Sequence, residues 1–194
     1  MGWIGSSVPF YSTLGGSPMP KFADIPQITR SGSYEVNVGW DYLENWIASN
    51  RDERMYTFEM DPDFQRGHVW SEEQQIRYVE FMLKGGKSSR VIYWNCKGWM
   101  QTFEGPMVLV DGKQRISAVL RFLGNEIPAF GHKREEYTDK LRLAHCDFLM
   151  NVNNLKTRAE VLQWYIDLNA GGVAHTTVEI EKVRHLLDIE KQNK

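Results

Sequence analysis

Met107-Val108-Leu109-Val110-Asp111-Gly112-Lys113-Gln114-Arg115-Ile116-Ser117-Ala118-Val119-Leu120-Arg121-Phe122-Leu123 is the stretch from which the fold of this chain can be read. Its first four residues are an unbroken apolar run rich in β-branched side chains, which predicts a short strand buried on both faces. Gly112 then turns the chain. From Gln114 onward Ile116, Val119, Leu120 and Leu123 recur at helical spacing, and Gly124-Asn125 supplies a stop. A strand, tight turn and helix in this order aim the unpaired N–H groups and positive dipole end of the helix at whatever lies above the strand's end.

The turn is unusually polar. An acid, a glycine, a lysine, an amide and an arginine follow one another from Asp111 to Arg115. Arg115 can fork onto phosphate oxygens, Lys113 adds a point charge, and Asp111 can hold a divalent metal or orient a water. The plainer alternative is that Asp111-Gly112 only makes the turn, with Lys113 and Arg115 solvated, because Asp-Gly is common at turns.

The chain has 194 residues, 42% of them hydrophobic, enough for one good core. Residues 34–194 are expected to form a single domain, preceded by an extended or disordered arm over 1–33. That arm is rich in Gly, Ser and Pro but carries Trp3, Phe10 and Tyr11, so part of it is expected to lie on the domain or on a neighbouring subunit. A formal net charge of −2 provides no overall basic field for coating nucleic acid. Cys96 and Cys146 stand alone, without metal-ligand neighbours, and the sequence has neither a secretory leader nor a long apolar run. The expected location is the reducing cytoplasm.

In chain order, a helix is expected from Val38, with Trp40, Leu43 and Ile47 on its buried face and Asn50-Arg51-Asp52 as its end. Thr57 to Trp70 reads as a strand end and a loop carrying Gln65, Arg66 and His68, since Pro62 forbids a continuing helix. Ser71 with Gln74 forms a capping box for a helix that turns Ile76, Val79 and Met82 or Leu83 inward and stops at Gly85-Gly86. Gly86-Lys87-Ser88 is no phosphate-binding P-loop: the glycine required five positions earlier is Phe81, and the segment closes a helix where it should open one.

Val91 to Trp94 and Cys146 to Val152 read as strands, Ile127 to Phe130 as a short extended piece, and His132 to Glu136 as a solvated charge run. Thr157 with Glu160 caps a helix through Leu162, Tyr165, Ile166 and Leu168. Thr176 with Glu179 opens a last one, with Ile180, Val183 and Leu187 inward. Between them lies a glycine-rich loop from Asn169 to His175 that could close over a ligand at low steric cost, or be an ordinary helix connection.

Three separated segments now combine: Phe64-Gln65-Arg66-Gly67-His68-Val69-Trp70, Val110-Asp111-Gly112-Lys113-Gln114-Arg115, and Leu168-Asn169-Ala170-Gly171-Gly172 followed by Thr177 and Glu179. In that order and separation they resemble the ParB-like N-terminal domain of GmrSD-type restriction systems, over about Val36 to Leu187. The family's usual signature is Asp-Gly-Gln-Gln-Arg; here its third residue is Lys113. The resemblance implies an α/β (α+β) fold with a ParB/sulfiredoxin-like core, a small mixed sheet flanked by helices and additional C-terminal helices. It also implies that the elbow binds nucleotide phosphates and supports NTP hydrolysis, with Gln65 and Arg66 lining the same pocket and Asn169 and Gly171 close by.

On this reading Asp111, Gln114 and Arg115 are the catalytic candidates, and Gln65, Arg66, Gly112, Lys113, Arg115, Asn169 and Gly171 hold the nucleotide. Asp111 takes Mg²⁺ or the attacking water. Relatives commonly carry a C-terminal HNH nuclease domain. With the sequence ending at Lys194 and no HNH pattern among its histidines, nuclease activity of that kind is not expected of this chain.

Two other readings stand beside the nucleotide one. In the first, a DNA-binding or nicking module holds a DNA phosphate at the same turn, with Lys113, Arg115, Arg121, Lys133 and Arg134 as a basic surface. In the second, a non-enzymatic adaptor of phage or mobile-element type engages a partner through its aromatic arm. The partners in view are therefore a nucleotide, DNA, a separate effector or host protein, and a second copy of the chain, but no membrane.

Overall fold

The computed structural model describes residues 25, 34–49, 57–65, 67, 69–102, 105–139, 143, 145–170 and 177–192. The expected arm, apart from Ile25, lies outside these residues, as do Arg66, His68 and the loop from Gly171 to Thr176. A five-stranded mixed sheet in the order β1-β5-β3-β4-β2 divides the molecule. Its strands are β1 (Tyr34–Gly39), β2 (Phe58–Glu59), β3 (Val91–Asn95), β4 (Met107–Asp111) and β5 (Asp147–Asn153). β1 and β4 run antiparallel to β5 and β3, whereas β3 with β5 and β2 with β4 run parallel.

Two hydrophobic clusters fill the two sides of the sheet. Ile92, Trp94, Met107, Leu109, Phe148 and Met150 point to one side, where helices α1 (Trp40–Ser49), α2 (Glu72–Leu83) and α3 (Lys113–Leu123) cover them. Val110 belongs to the other cluster, beneath the hairpin of α4 (Arg158–Ala170) and α5 (Thr177–Gln192). The expected run of apolar residues before Gly112 is thus buried from both directions. On α3, Ile116, Val119, Phe122 and Leu123 are all buried. Each such side chain contributes about 1.5–3 kcal/mol by leaving water, so packing, and not propensity, fixes this helix against the sheet.

A mixed sheet flanked by helices, with further helices at the C-terminus, is what the resemblance implied. Local signals also hold. Ser71 and Gln74 form a reciprocal capping box at α2. At α4 the Glu160 carboxylate accepts from the Thr157 N–H at 2.9 Å and the Glu160 N–H donates to Thr157 Oγ1 at 3.3 Å.

One element differs from the sequence reading: Val38 and Gly39 end strand β1, and the helix starts at Trp40. The reason is tertiary. Tyr34 to Gly39 pairs residue for residue with Val152 back to Asp147, and only Val38 of the six is buried, because β1 is a sheet edge. A second difference is small: Asn95 completes β3 where a loop was expected. Among the described residues no helix is long and apolar enough to cross a membrane. Cys96 and Cys146 are buried and form no disulfide.

The elbow itself needs glycine twice over. Gly112 has φ +105°, and a Cβ there would sit 2.5 Å from Ile92 Cδ1 and 3.3 Å from the Ile92 Cα. Gly112→Ala is expected to lower stability by about 3 kcal/mol in urea unfolding, from left-handed strain and overpacking together. Adding Ile92→Val, which removes the nearest atom, should return part of that loss; an unchanged midpoint in the single variant would contradict the account.

Candidate functional site

The site grows from an irregularity in the sheet. Trp94 lies opposite Leu109 but Tyr93 lies opposite Asp111, so β4 carries one extra residue, Val110, at a bulge. Residues opposite each other on antiparallel strands share a face. The bulge therefore turns Asp111 to the side of Tyr93, toward α4, where straight alternation from Met107 and Leu109 would have sent it under α2 and α3. Burial raises the Tyr93 phenol above its ordinary value, and the Asp111 carboxylate pushes it further the same way.

At the end of β4 the chain opens into a cleft of about 440 Å³ lined by Gln65, Asp111 to Arg115, Asn169 and four aromatic or hydroxyl side chains, Trp70, Tyr78, Ser89 and Tyr165. Gln65, Asp111, Gly112, Lys113, Gln114, Arg115 and Asn169 thus meet in one hollow although they come from three separated segments. Arg66 and Gly171 lie outside the described residues. Gly112, at the N-cap of α3, has no side chain with which to cap it, and no acid stands in the helix's first turn. The positive end of the helix therefore borders the cleft without a built-in negative partner on its own turn.

Both cations of the elbow are held by acids. Arg115 Nη2 donates to Asp111 Oδ2 one helical turn back, and Lys113 Nζ donates to Asp61 Oδ1. The two pairs differ in how firmly their acids are seated, for the Asp111 side chain is 30% exposed and that of Asp61 is 75% exposed.

Gln114 is engaged at both ends of its amide. Its Oε1 accepts from the Val69 and Trp70 N–H groups at 3.2 and 3.1 Å, and its Nε2 donates to the Gly67 carbonyl at 3.3 Å. The side chain thereby staples Gly67, Val69 and Trp70 to the start of α3. Other ties fix the residues before them: Gln65 Nε2 donates to the Leu109 carbonyl at 2.5 Å, Phe64 is buried against Tyr165, and Asp63 takes both oxygens to Arg158 Nη2 at 2.7 and 2.8 Å.

On the far wall the Asn169 amide donates to the Tyr165 carbonyl at 2.7 Å, which sets its orientation at the end of α4. Tyr78 donates to the Ser89 carbonyl at 2.9 Å, and burial drives its pKa well up. It is a neutral phenol at any physiological pH. Sequence spacing gives Tyr165 only as a helix position and Trp70 only as part of the first motif, and it gives no site role to Tyr78, Ser89 or Tyr93. Tyr78 stands one turn beyond Gln74 on the inward face of α2, a signal that spacing alone assigns to the core.

The family model of the GmrSD restriction endonuclease, N-terminal domain, matches residues 43–186 of this chain. No curated protein and no solved structure matches it.

Removing the staple should loosen the loop more than the fold. Gln114→Ala is expected to lower global stability by about 1–2 kcal/mol, the worth of its hydrogen bonds. It should also speed amide exchange at Val69 and Trp70 while the core of α4 exchanges as before. Hydrogen-exchange mass spectrometry checks this, and protection of residues 67–70 unchanged in the variant would show that the amide does not hold them.

Proposed function

The chain belongs to the family of the GmrSD restriction endonuclease N-terminal domain, and from that membership and the geometry of the cleft we propose that the elbow binds the phosphates of a nucleoside triphosphate and promotes their hydrolysis. Membership associates the chain with restriction and defence systems. The observation that carries the finer reading is the convergence, in one cleft, of the glycine-capped start of α3, Lys113 and Arg115 with Gln65 and Asn169.

In this reading the N–H groups of the first turn of α3 and the Arg115 guanidinium receive phosphate oxygens, and Lys113 adds charge once Asp61 moves aside. Tyr165 and Trp70 offer apolar walls to the remainder of the nucleotide, and Gln65 and Asn169 offer polar groups at its edge. Gln114 acts as a positioning residue, since its amide is committed to the loop. Asp111, released from Arg115 by the incoming phosphates, orients the attacking water and accepts its proton.

Among the described residues no three His, Cys, Asp or Glu side chains gather to hold a metal. Mg²⁺ is ordinarily bound through one or two carboxylates together with the substrate's phosphates. Asp111, on the cleft wall and partly exposed, fits an ion that arrives with the nucleotide. Such an ion would neutralise charge on the phosphates.

Titration calorimetry of the full chain with ATP, GTP, CTP and UTP, with and without Mg²⁺, tests the proposal. One or more should bind, and Arg115→Ala should weaken that binding by about 10–100-fold, the worth of one charge-assisted bidentate contact. Asp111→Asn frees Arg115, so binding measured without Mg²⁺ should hold or tighten while phosphate release falls. No nucleotide binding, or binding indifferent to Arg115→Ala, would overturn the proposal. Salt-sensitive retention of DNA that needs Arg115, in the absence of nucleotide binding, would replace it with the DNA reading.

A further inference from the structure

At the opposite end of α3 from the elbow lies a second cleft, of about 520 Å³, lined by Leu83, Lys84, Phe122, Phe130, Arg134, Tyr137, Asp139 and Leu143. The helix separates it from the first cleft by roughly 15 Å, at 1.5 Å of rise per residue. Neither the family reading nor the proposed nucleotide chemistry uses it. We propose that this second cleft binds a small aromatic anion, a ring body carrying a carboxylate or comparable acidic group.

The apolar half of the argument rests on how the cleft is built. Phe122 comes from α3 and Leu83 from α2, while Phe130 and Tyr137 come from a tightly tied loop. In that loop Ala129 and His132 exchange backbone hydrogen bonds at 2.8 and 3.0 Å, and the Tyr137 hydroxyl donates to the Ala129 carbonyl at 2.6 Å. The Glu80 carboxylate accepts from the Phe130 N–H at 2.7 Å. Phe130 itself has φ +49° and is 45% exposed. A bulky residue held in left-handed backbone with nearly half its surface exposed adds little to the core, and strain of this kind gathers where a structure presents a group for use.

The charged half rests on two cations. Lys84 Nζ lies 5.2 Å from the centre of the Phe130 ring, and Arg134 lines the same wall with a buried Nε–H that has no acceptor among the described residues. Neither has a carboxylate partner among the described residues, in contrast to Lys113, Arg115 and Arg121, each of which has one. Asp139, the only acid among the lining residues, is exposed and already engaged. A buried guanidinium N–H without an acceptor is an unmet demand. An anion placed against the Arg134 guanidinium supplies the charge partner that this side chain lacks among the described residues, and a ring attached to that anion packs on Phe130 and on the edge-to-face pair of Phe122 and Tyr137.

The volume suits a small molecule, within the range of ligand pockets of about 300–1,000 Å³.

Titration calorimetry or ligand-observed NMR of the full chain with 2-naphthoate, and with neutral 2-naphthalenemethanol as its counterpart, tests the proposal. The acid should bind about tenfold more tightly than the alcohol, and Arg134→Gln should remove about that advantage while leaving thermal unfolding in place. Lys84→Gln, at an exposed position, should weaken the acid by a smaller factor. Arg115→Ala, in the other cleft, should leave naphthoate binding unchanged. Equal binding of acid and alcohol, binding of neither, or naphthoate affinity untouched by Arg134→Gln would each overturn the proposal.

Discussion

The approach of Gly112 to Ile92 is the constraint on which the rest of this structure depends. With no Cβ between them, the start of α3 comes down onto the backbone of β3, and the first turn of the helix lies directly at the end of β4. Everything at the cleft inherits that placement. Gln114 is close enough to reach the 67–70 backbone, Arg115 falls one turn from Asp111, and the positive helix end borders the hollow. A side chain at position 112 would lift the helix start and displace these groups together, because they are successive residues on one rigid turn.

The electrostatics of the elbow decide whether an anion can enter. Each cation already has an acid, yet neither pair is buried: Lys113 is shielded but Asp61 is largely in water, and the Asp111–Arg115 pair is partly exposed. Ion pairs of this kind contribute at most about 1 kcal/mol. Charge-assisted hydrogen bonds to a multiply charged anion, backed by a helix terminus, contribute more. On the proposed reading, that difference lets an anion take the place of the two acids. The bulge at Val110 turns Asp111 toward the α4 side of the sheet.

How much of this could be read from the chain depends on whether each signal was local. The strand-turn-helix at Met107 to Leu123 was legible because the apolar period changes at Gly112 from a continuous run to helical spacing. The capping boxes at Ser71 and Thr157 were legible because both partners lie within four residues. Strand β1 was not, because an exposed edge strand shows little burial pattern and Trp40 begins a helix directly after it. The bulge was hidden for a different reason: an extra residue is extra only relative to a partner strand, and Tyr93 is 18 positions away in the sequence. The work of Gln114 was equally out of sight, since its partners lie some 45 residues upstream. The motif named the residue; only the fold says what its amide holds.

The two clefts share α3, and α3 is locked to α2 by a polar clamp. Arg121 donates to Gln75 Oε1 at 2.8 Å and to Glu72 and Glu126, while the buried Gln75 amide donates to the Trp70 carbonyl at 3.1 Å. Trp70 is also the residue whose N–H Gln114 accepts. The loop over the first cleft is thus tied to both helices at one residue, and each tie ends on a side chain with a second engagement of its own. A buried amide that loses its partner costs more than one hydrogen bond. Displacing Trp70 would take a partner from the buried Gln75 amide, whose oxygen Arg121 also holds, and Arg121 directly precedes Phe122 of the second cleft.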